Sequence, residues 1–443
     1  MVREEDLVLQ NPWWRSPDAI NQDAKIVEVF KRAARTPFSF EETNTLMVGP
    51  RQVGKTTFLK MAIKALLERG TDPRRLMYFA CDMLRGKAEI VEVLRLFDQL
   101  YGGRKYVFLD EVTFVHRWED AVKFVLDSPL KEGKILYVTG SSTIGLKRER
   151  FPGRELRIRE FLPLDFKAFA RMFGSQELRK GIEEAGGEVN LLDAKATFKA
   201  ASSLFRFIDE LNALLYSYLK CGGYPRPMFE LMEDGRVSEE TYEAYYNAIM
   251  FDVVKLERRD TIALSVILSL IRKYGTRFSL NAVTKYVELG SHRTVGEYLE
   301  LFEDIMISRN YYQAMPGKEI PLIRKERKVF FTDPFVFMMF SKRFNLAVEE
   351  KVPAVVEGVV GEALRRRYRA VHFIGGSREL DFYTGDLGIE VKWQQRVRAG
   401  DFPRIPAKCR YLLSKVDIAE VERVAVIPAS IFLLMLRRLG GRT

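Results

Sequence analysis

The chain has 443 residues, 47% of them hydrophobic and 12% aromatic, which excludes a mainly disordered state and predicts two to four domains. A net charge of +11 suits a polyanionic partner, though nucleotide-binding proteins and proteins rich in ion pairs are basic too. Three scattered cysteines (Cys81, Cys221, Cys409) and three scattered histidines (His116, His292, His372) argue against a disulfide framework or a zinc site. With no apolar run of membrane-spanning length and no signal-peptide core in Met1–Glu5, a reduced, cytoplasmic setting without a membrane partner is expected.

In chain order, Thr45–Val48 reads as a short buried strand. Gly49-Pro50-Arg51-Gln52-Val53-Gly54-Lys55-Thr56-Thr57 follows and matches G-x-x-x-x-G-K-[ST] without a gap. Thr56–Glu68 then has helical apolar spacing and ends at Gly70. In such a loop the backbone N–H groups wrap nucleotide phosphates, Lys55 reaches the β and γ oxygens, and Thr56 binds Mg²⁺. ATP and Mg²⁺ are the expected ligands. A second strand, Leu76–Ala80, precedes a third, Tyr106–Leu109, which ends in Asp110-Glu111. Asp110 is the second candidate Mg²⁺ ligand, and Glu111 the group that polarises the attacking water. An extra strand between loop and acids marks the additional-strand ATPase class.

A fourth strand, Ile135–Thr139, leads into Gly140-Ser141-Ser142, where Ser141 is either a γ-phosphate sensor or part of an ordinary turn. Arg154 in Phe151–Arg154 is either a γ-phosphate arginine, in cis or in trans within a homo-oligomer, or a surface arginine. The region is therefore expected to be an α/β P-loop core with a parallel sheet. Asn11-Pro12-Trp13-Trp14, the phosphate loop, FLDE with Trp118 after it, TGSS, PGR, Leu162-Pro163-Leu164-Asp165-Phe166 and Cys221-Gly222-Gly223-Tyr224-Pro225 occur in this order. Together they resemble the archaeal and bacterial AAA-type ATPases that carry a C-terminal domain of unknown function. The resemblance implies an AAA-like core over residues 1–175, a helical lid or connector over 176–260, a winged helix-turn-helix over 261–335 and a further domain over 336–443.

The middle segment agrees with that reading. Ile262–Tyr274, Leu280–Val287 and His292–Met306 have helical spacing, and Tyr311–Ala314 with Lys328–Phe331 can form a wing. His292, Arg293 and Thr294 stand where DNA contacts would come from, but Glu297, Glu300, Glu303 and Asp304 follow on the same helix. A protein-contact role, or a DNA contact limited to the first turn, is therefore expected.

Toward the C-terminus, Glu362 lies on an amphipathic helix near Arg365, Arg366, Arg367 and Arg369. Leu380-Asp381-Phe382-Tyr383 and Gly388-Ile389-Glu390-Val391-Lys392-Trp393 read as a hairpin, with Glu390 and Lys392 on one face. Asp381 and Glu390, joined by Glu362, are candidate ligands for a second Mg²⁺ or Mn²⁺, with Lys392 acting on a water. A solvated strand with a Glu390–Lys392 ion pair is the alternative. The block resembles the PD-(D/E)XK nucleases, a restriction-endonuclease-like α/β fold, with Leu380 in place of proline. The resemblance implies contact with branched or duplex DNA, aided by Arg396, Arg398, Lys408 and Arg410. The sequence supports an ATPase whose nucleotide state governs DNA engagement, including cleavage. A DNA remodeller that does not cut and a signalling switch with protein partners remain open.

Overall fold

The computed structural model describes residues 2–32, 34, 36, 38–143, 151–185, 189–287, 291–317, 320–376, 379–421 and 423–436. They form two compact units, Met1–Leu162 and Pro163–Thr443. The expected four-part division is finer than this: residues 176–260, 261–335 and 336–443 all fall in the second unit. Among the described residues no helix is long and apolar enough to cross a membrane.

The first unit contains helices α1 (Glu4–Gln10), α2 (Ala24–Lys31), α3 (Lys55–Glu68), α4 (Lys87–Leu100) and α5 (Trp118–Asp127). Its strands are β1 (Thr45–Val48), β2 (Leu76–Ala80), β3 (Lys105–Asp110), β4 (Lys134–Gly140) and β5 (Arg157–Glu160), in the spatial order β2-β3-β4-β1-β5. Every pairing is parallel. Central parallel strands covered on both faces have no polar side to show, which is why β1, β3 and β4 are near-continuous apolar runs. Phe58, Leu59, Ala62, Ile63 and Leu66 make the buried stripe of α3. Gly70 ends that helix at φ +82°, the left-handed geometry glycine adopts freely. Strand β4 lies between β1 and β3, so the phosphate loop and the Asp110 end of β3 belong to next-but-one strands.

The edge strand β2 is closed by the N-terminal motif. Asn11, fully buried, accepts a hydrogen bond from Tyr78 N (2.6 Å) and donates one to Tyr78 O (2.9 Å), as a neighbouring strand would. The indole N–H groups of Trp13 and Trp14 both donate to Leu76 O, at 2.9 and 2.8 Å.

In the second unit, α6 (Phe166–Phe173), α7 (Gln176–Glu184), α8 (Ala194–Leu204), α9 (Ile208–Cys221), α10 (Pro225–Asp234) and α11 (Glu239–Lys255) come first. Then follow α12 (Asp260–Arg272), α13 (Leu280–Val287), α14 (His292–Asp304), β6 (Ser308–Ala314) and β7 (Arg327–Phe331). The last segment holds α15 (Pro334–Arg343), α16 (Val352–Arg365), β8 (His372–Ile374), β9 (Leu380–Tyr383), β10 (Leu387–Val391), β11 (Cys409–Ser414), β12 (Ala419–Val421), β13 (Val424–Pro428) and α17 (Ala429–Met435).

The β6–β7 hairpin expected from the sequence is antiparallel, with Tyr311 opposite Lys328. It does not stand apart. Gln313 and Ala314 of β6 pair in parallel with Phe373 and Ile374 of β8, giving one sheet in the order β12-β13-β11-β10-β9-β8-β6-β7. The CGGYP and LPLDF motifs meet here. Leu164 N donates to Gly223 O (2.9 Å), and a Cβ on Gly223 would lie 1.8 Å from Leu164 O. Gly223 N donates to Asp333 Oδ2 (2.8 Å), the same carboxylate that caps α15 through Phe335 N. These glycines serve a close backbone crossing.

Candidate functional site

The phosphate loop links β1 to α3. Gly49 is required by space, since a Cβ there would sit 2.0 Å from Phe161 O. Gln52 (φ 64°) and Gly54 (φ 101°) take left-handed backbone angles that turn the chain into the N-terminus of α3. The Lys55 ammonium is buried and donates to Gly49 O (2.9 Å) and Pro50 O (3.0 Å), with Glu111 Oε1 3.3 Å away. Thr56 Oγ1 donates to Asp110 Oδ2 at 2.6 Å. Glu111 sits just past β3 at φ 52°, and its Oε2 is buried without a hydrogen-bond partner. A hydroxyl on a carboxylate, a lysine at the loop and an orphaned carboxylate oxygen are a donor set that suits Mg²⁺ and a triphosphate.

Two further residues hold Asp110. Tyr78 OH donates to Oδ2 at 2.9 Å, and Thr139 Oγ1 donates to Oδ1 while accepting from Glu111 N (2.9 Å). Burial, reinforced by the Asp110 charge, pushes the Tyr78 hydroxyl pKa far up, so it stays a donor. Thr139 could have been found as a hydroxyl ending the apolar run Ile135–Val138; Tyr78 has no such signal, because tyrosine is ordinary in a strand.

The structure thus brings Lys55, Thr56, Asp110 and Glu111 together. Ser141 is buried one strand-end away, its hydroxyl 3.4 Å from Thr113 Oγ1. Arg154 makes a two-pronged pair with Asp127, at 2.9 and 2.6 Å.

The C-terminal carboxylates cluster differently from the sequence expectation. Asp381 Oδ2 accepts from Val391 N (2.9 Å), and Glu390 Oε1 lies 2.7 Å from Lys392 Nζ. Burial, then the Asp381 charge, raises the Glu390 pKa to about 7. Glu362 does not join them. It pairs with Arg366 (2.9 Å) and Arg309 (3.3 Å), and Arg366 also donates to Pro163 O (2.7 Å). The acid that α16 supplies is Glu357, five positions earlier and therefore on a different face of the helix. Arg366, expected near phosphate, is instead used internally, and Lys408 pairs with Asp386 (2.7 Å). Among the described residues no group of three or more His, Cys, Asp or Glu side chains is arranged to hold a metal ion.

Residues 41–170 match the family model described as an AAA domain, and residues 212–346 match one described as a domain of unknown function, DUF8612. No curated protein matches the chain. Among solved structures it is similar to the RuvB Holliday junction branch migration motor of Thermotoga maritima, 15% identical over 76% of this chain and 95% of that one, with a TM-score of 0.29. It is also similar to AMPPCP-bound DnaA from Aquifex aeolicus, 18% identical over 59% of this chain and 82% of that one, with a TM-score of 0.27. The family match, with the phosphate loop and parallel sheet it spans, makes residues 41–170 an AAA-type P-loop ATPase domain.

Proposed function

We propose that this chain binds and hydrolyses ATP with Mg²⁺, and that its nucleotide state governs how residues 261–443, a winged helix followed by a nuclease-like fold, engage DNA. The observation that carries the ATPase part is the Thr56–Asp110 contact at 2.6 Å beside the Lys55–Glu111 pair at 3.3 Å. Backbone N–H groups from Arg51 to Thr57 and the Lys55 ammonium bind the phosphates. Thr56 and Asp110 would hold Mg²⁺, which when bound offsets phosphate charge. In taking up a phosphate, Lys55 exchanges its contacts with Gly49 O, Pro50 O and Glu111 for phosphate oxygens. Glu111 is then released to orient a water and accept its proton. Ser141 would sense the γ-phosphate through its hydroxyl, and Arg154 would do so only after leaving Asp127.

The test uses two variants. Lys55→Ala should abolish ATP binding, and Glu111→Gln should bind ATP but turn over at least a hundredfold more slowly. Unchanged steady-state turnover in both rejects the assignment. The DNA part is supported by the +11 net charge and the order of elements after Asp260. Turnover measured with branched, single-stranded and duplex DNA tests it, and no response to any of them rejects it. Engagement without cleavage is favoured over cleavage, because a lysine stands among the C-terminal carboxylates.

A further inference from the structure

We propose that Lys328 takes the place of a divalent cation in the carboxylate cluster of the second unit, so that the nuclease-like fold binds no catalytic metal. The proposal deepens the nuclease-like reading of residues 336–443 and does not depend on the ATPase assignment. Lys328 lies on β7 and is 1% exposed. Its Nζ is 2.7 Å from Glu357 Oε1, 2.5 Å from Glu379 Oε1 and 2.9 Å from Asp381 Oδ1. The ammonium donates to Glu357 and Asp381, and Glu379 lies beside it as a third ion-pair partner. The three acids come from separate places: Glu357 from α16, Glu379 from the segment before β9, and Asp381 from β9 itself.

Asp381 and Glu390 also commit their other oxygens. Asp381 Oδ2 accepts from Val391 N at 2.9 Å, and Glu390 divides its two oxygens between Lys392 Nζ at 2.7 Å and Asp381 N at 3.4 Å. A Mg²⁺ ion demands close octahedral oxygen ligation, and here the Asp381 and Glu390 lone pairs already serve protein donors. A divalent ion entering beside the ammonium would meet like charge in a buried setting. The implied metal therefore does not fit the residues present. A buried ammonium is costly unless paired, and among the described residues the carboxylates of Glu357, Glu379 and Asp381 pair it.

The experiment is Mn²⁺ binding to the full chain without nucleotide, followed by electron paramagnetic resonance. Four proteins are compared: wild type, Asp381→Asn, Lys328→Met, and Lys328→Met combined with Asp381→Asn. Wild type should show no bound Mn²⁺ that Asp381→Asn removes. Lys328→Met, which keeps the length of the side chain without its charge, should gain a Mn²⁺ site at least tenfold tighter than any in wild type. The double variant should lose that site again. A wild-type site abolished by Asp381→Asn overturns the proposal, and this comparison stands even if Lys328→Met fails to fold. A folded Lys328→Met chain that takes up no Mn²⁺ overturns it as well. ATP turnover by Lys328→Met, expected to match wild type, keeps this outcome separate from the ATPase reading.

Discussion

At the scale of single residues, the first unit is organised around the two oxygens of Asp110, each with its own hydroxyl partners. Thr139 is the more consequential, since it also receives Glu111 N and so ties the acid that would hold Mg²⁺ to the one that would activate water. It touches neither substrate nor metal directly in this arrangement and acts as a positioning residue. Thr139→Val removes both contacts at nearly constant volume and leaves buried polar groups unpaired, at a cost of about 1–3 kcal/mol. Turnover should fall roughly tenfold to a hundredfold with ATP binding little changed, and Thr139→Ser should restore it. Equal losses in the valine and serine variants would contradict that role. The loop and the Asp110-Glu111 pair were legible because the chemistry demands those residue types at fixed spacing. Glu357 was not, because the sequence gives a helix its period but not its rotation: Glu362 is the acid the spacing points to, and α16 turns it toward Arg366 and Arg309.

At the scale of elements, strands and helices with strong apolar patterns lay within a few residues of where periodicity put them. Strand β9 spans the residues expected, Leu380–Tyr383, and the first hairpin strand begins three residues earlier than read, at Ser308 rather than Tyr311. The Asn-Pro-Trp-Trp motif was recognisable as a pattern but silent about its purpose, because pairing an edge strand through a side-chain amide depends on a contact 67 residues away in sequence. Asn11→Ala would leave the N–H and C=O of Tyr78 without their partner in a dry environment. A loss of about 2–4 kcal/mol is expected, read as a drop of several degrees in the unfolding midpoint of the first unit. A midpoint unchanged within error would mean that water reaches this edge.

At the scale of the second unit as a whole, buried acids should set how stability depends on pH. Burial raises the Asp333 pKa to about 7, against the opposing pull of the Gly223 and Phe335 N–H groups and of Arg366. Its folded value thus lies above that of the unfolded chain, so the folded state keeps a proton that the unfolded state has lost. The stability this contributes is fully present below about pH 4 and is lost as pH rises through 7, a change on the order of 4 kcal/mol at most. Glu390, also raised to about 7, acts in the same direction. Denaturation of the wild type should therefore become easier between pH 5 and 8, and Asp333→Asn, which retains an oxygen for capping α15, should flatten that slope. An identical slope in the variant would remove Asp333 from the account.

Lys328 also bears on how separable the parts of the second unit are. The residue belongs to the hairpin, while the acids it neutralises belong to α16, to β9 and to the segment just before β9. A chimera that exchanged residues 261–335 for a foreign segment would strip those acids of their counter-ion and cut the β6–β8 pairing together. Two modules that look interchangeable along the chain are, in folded form, a single heritable piece.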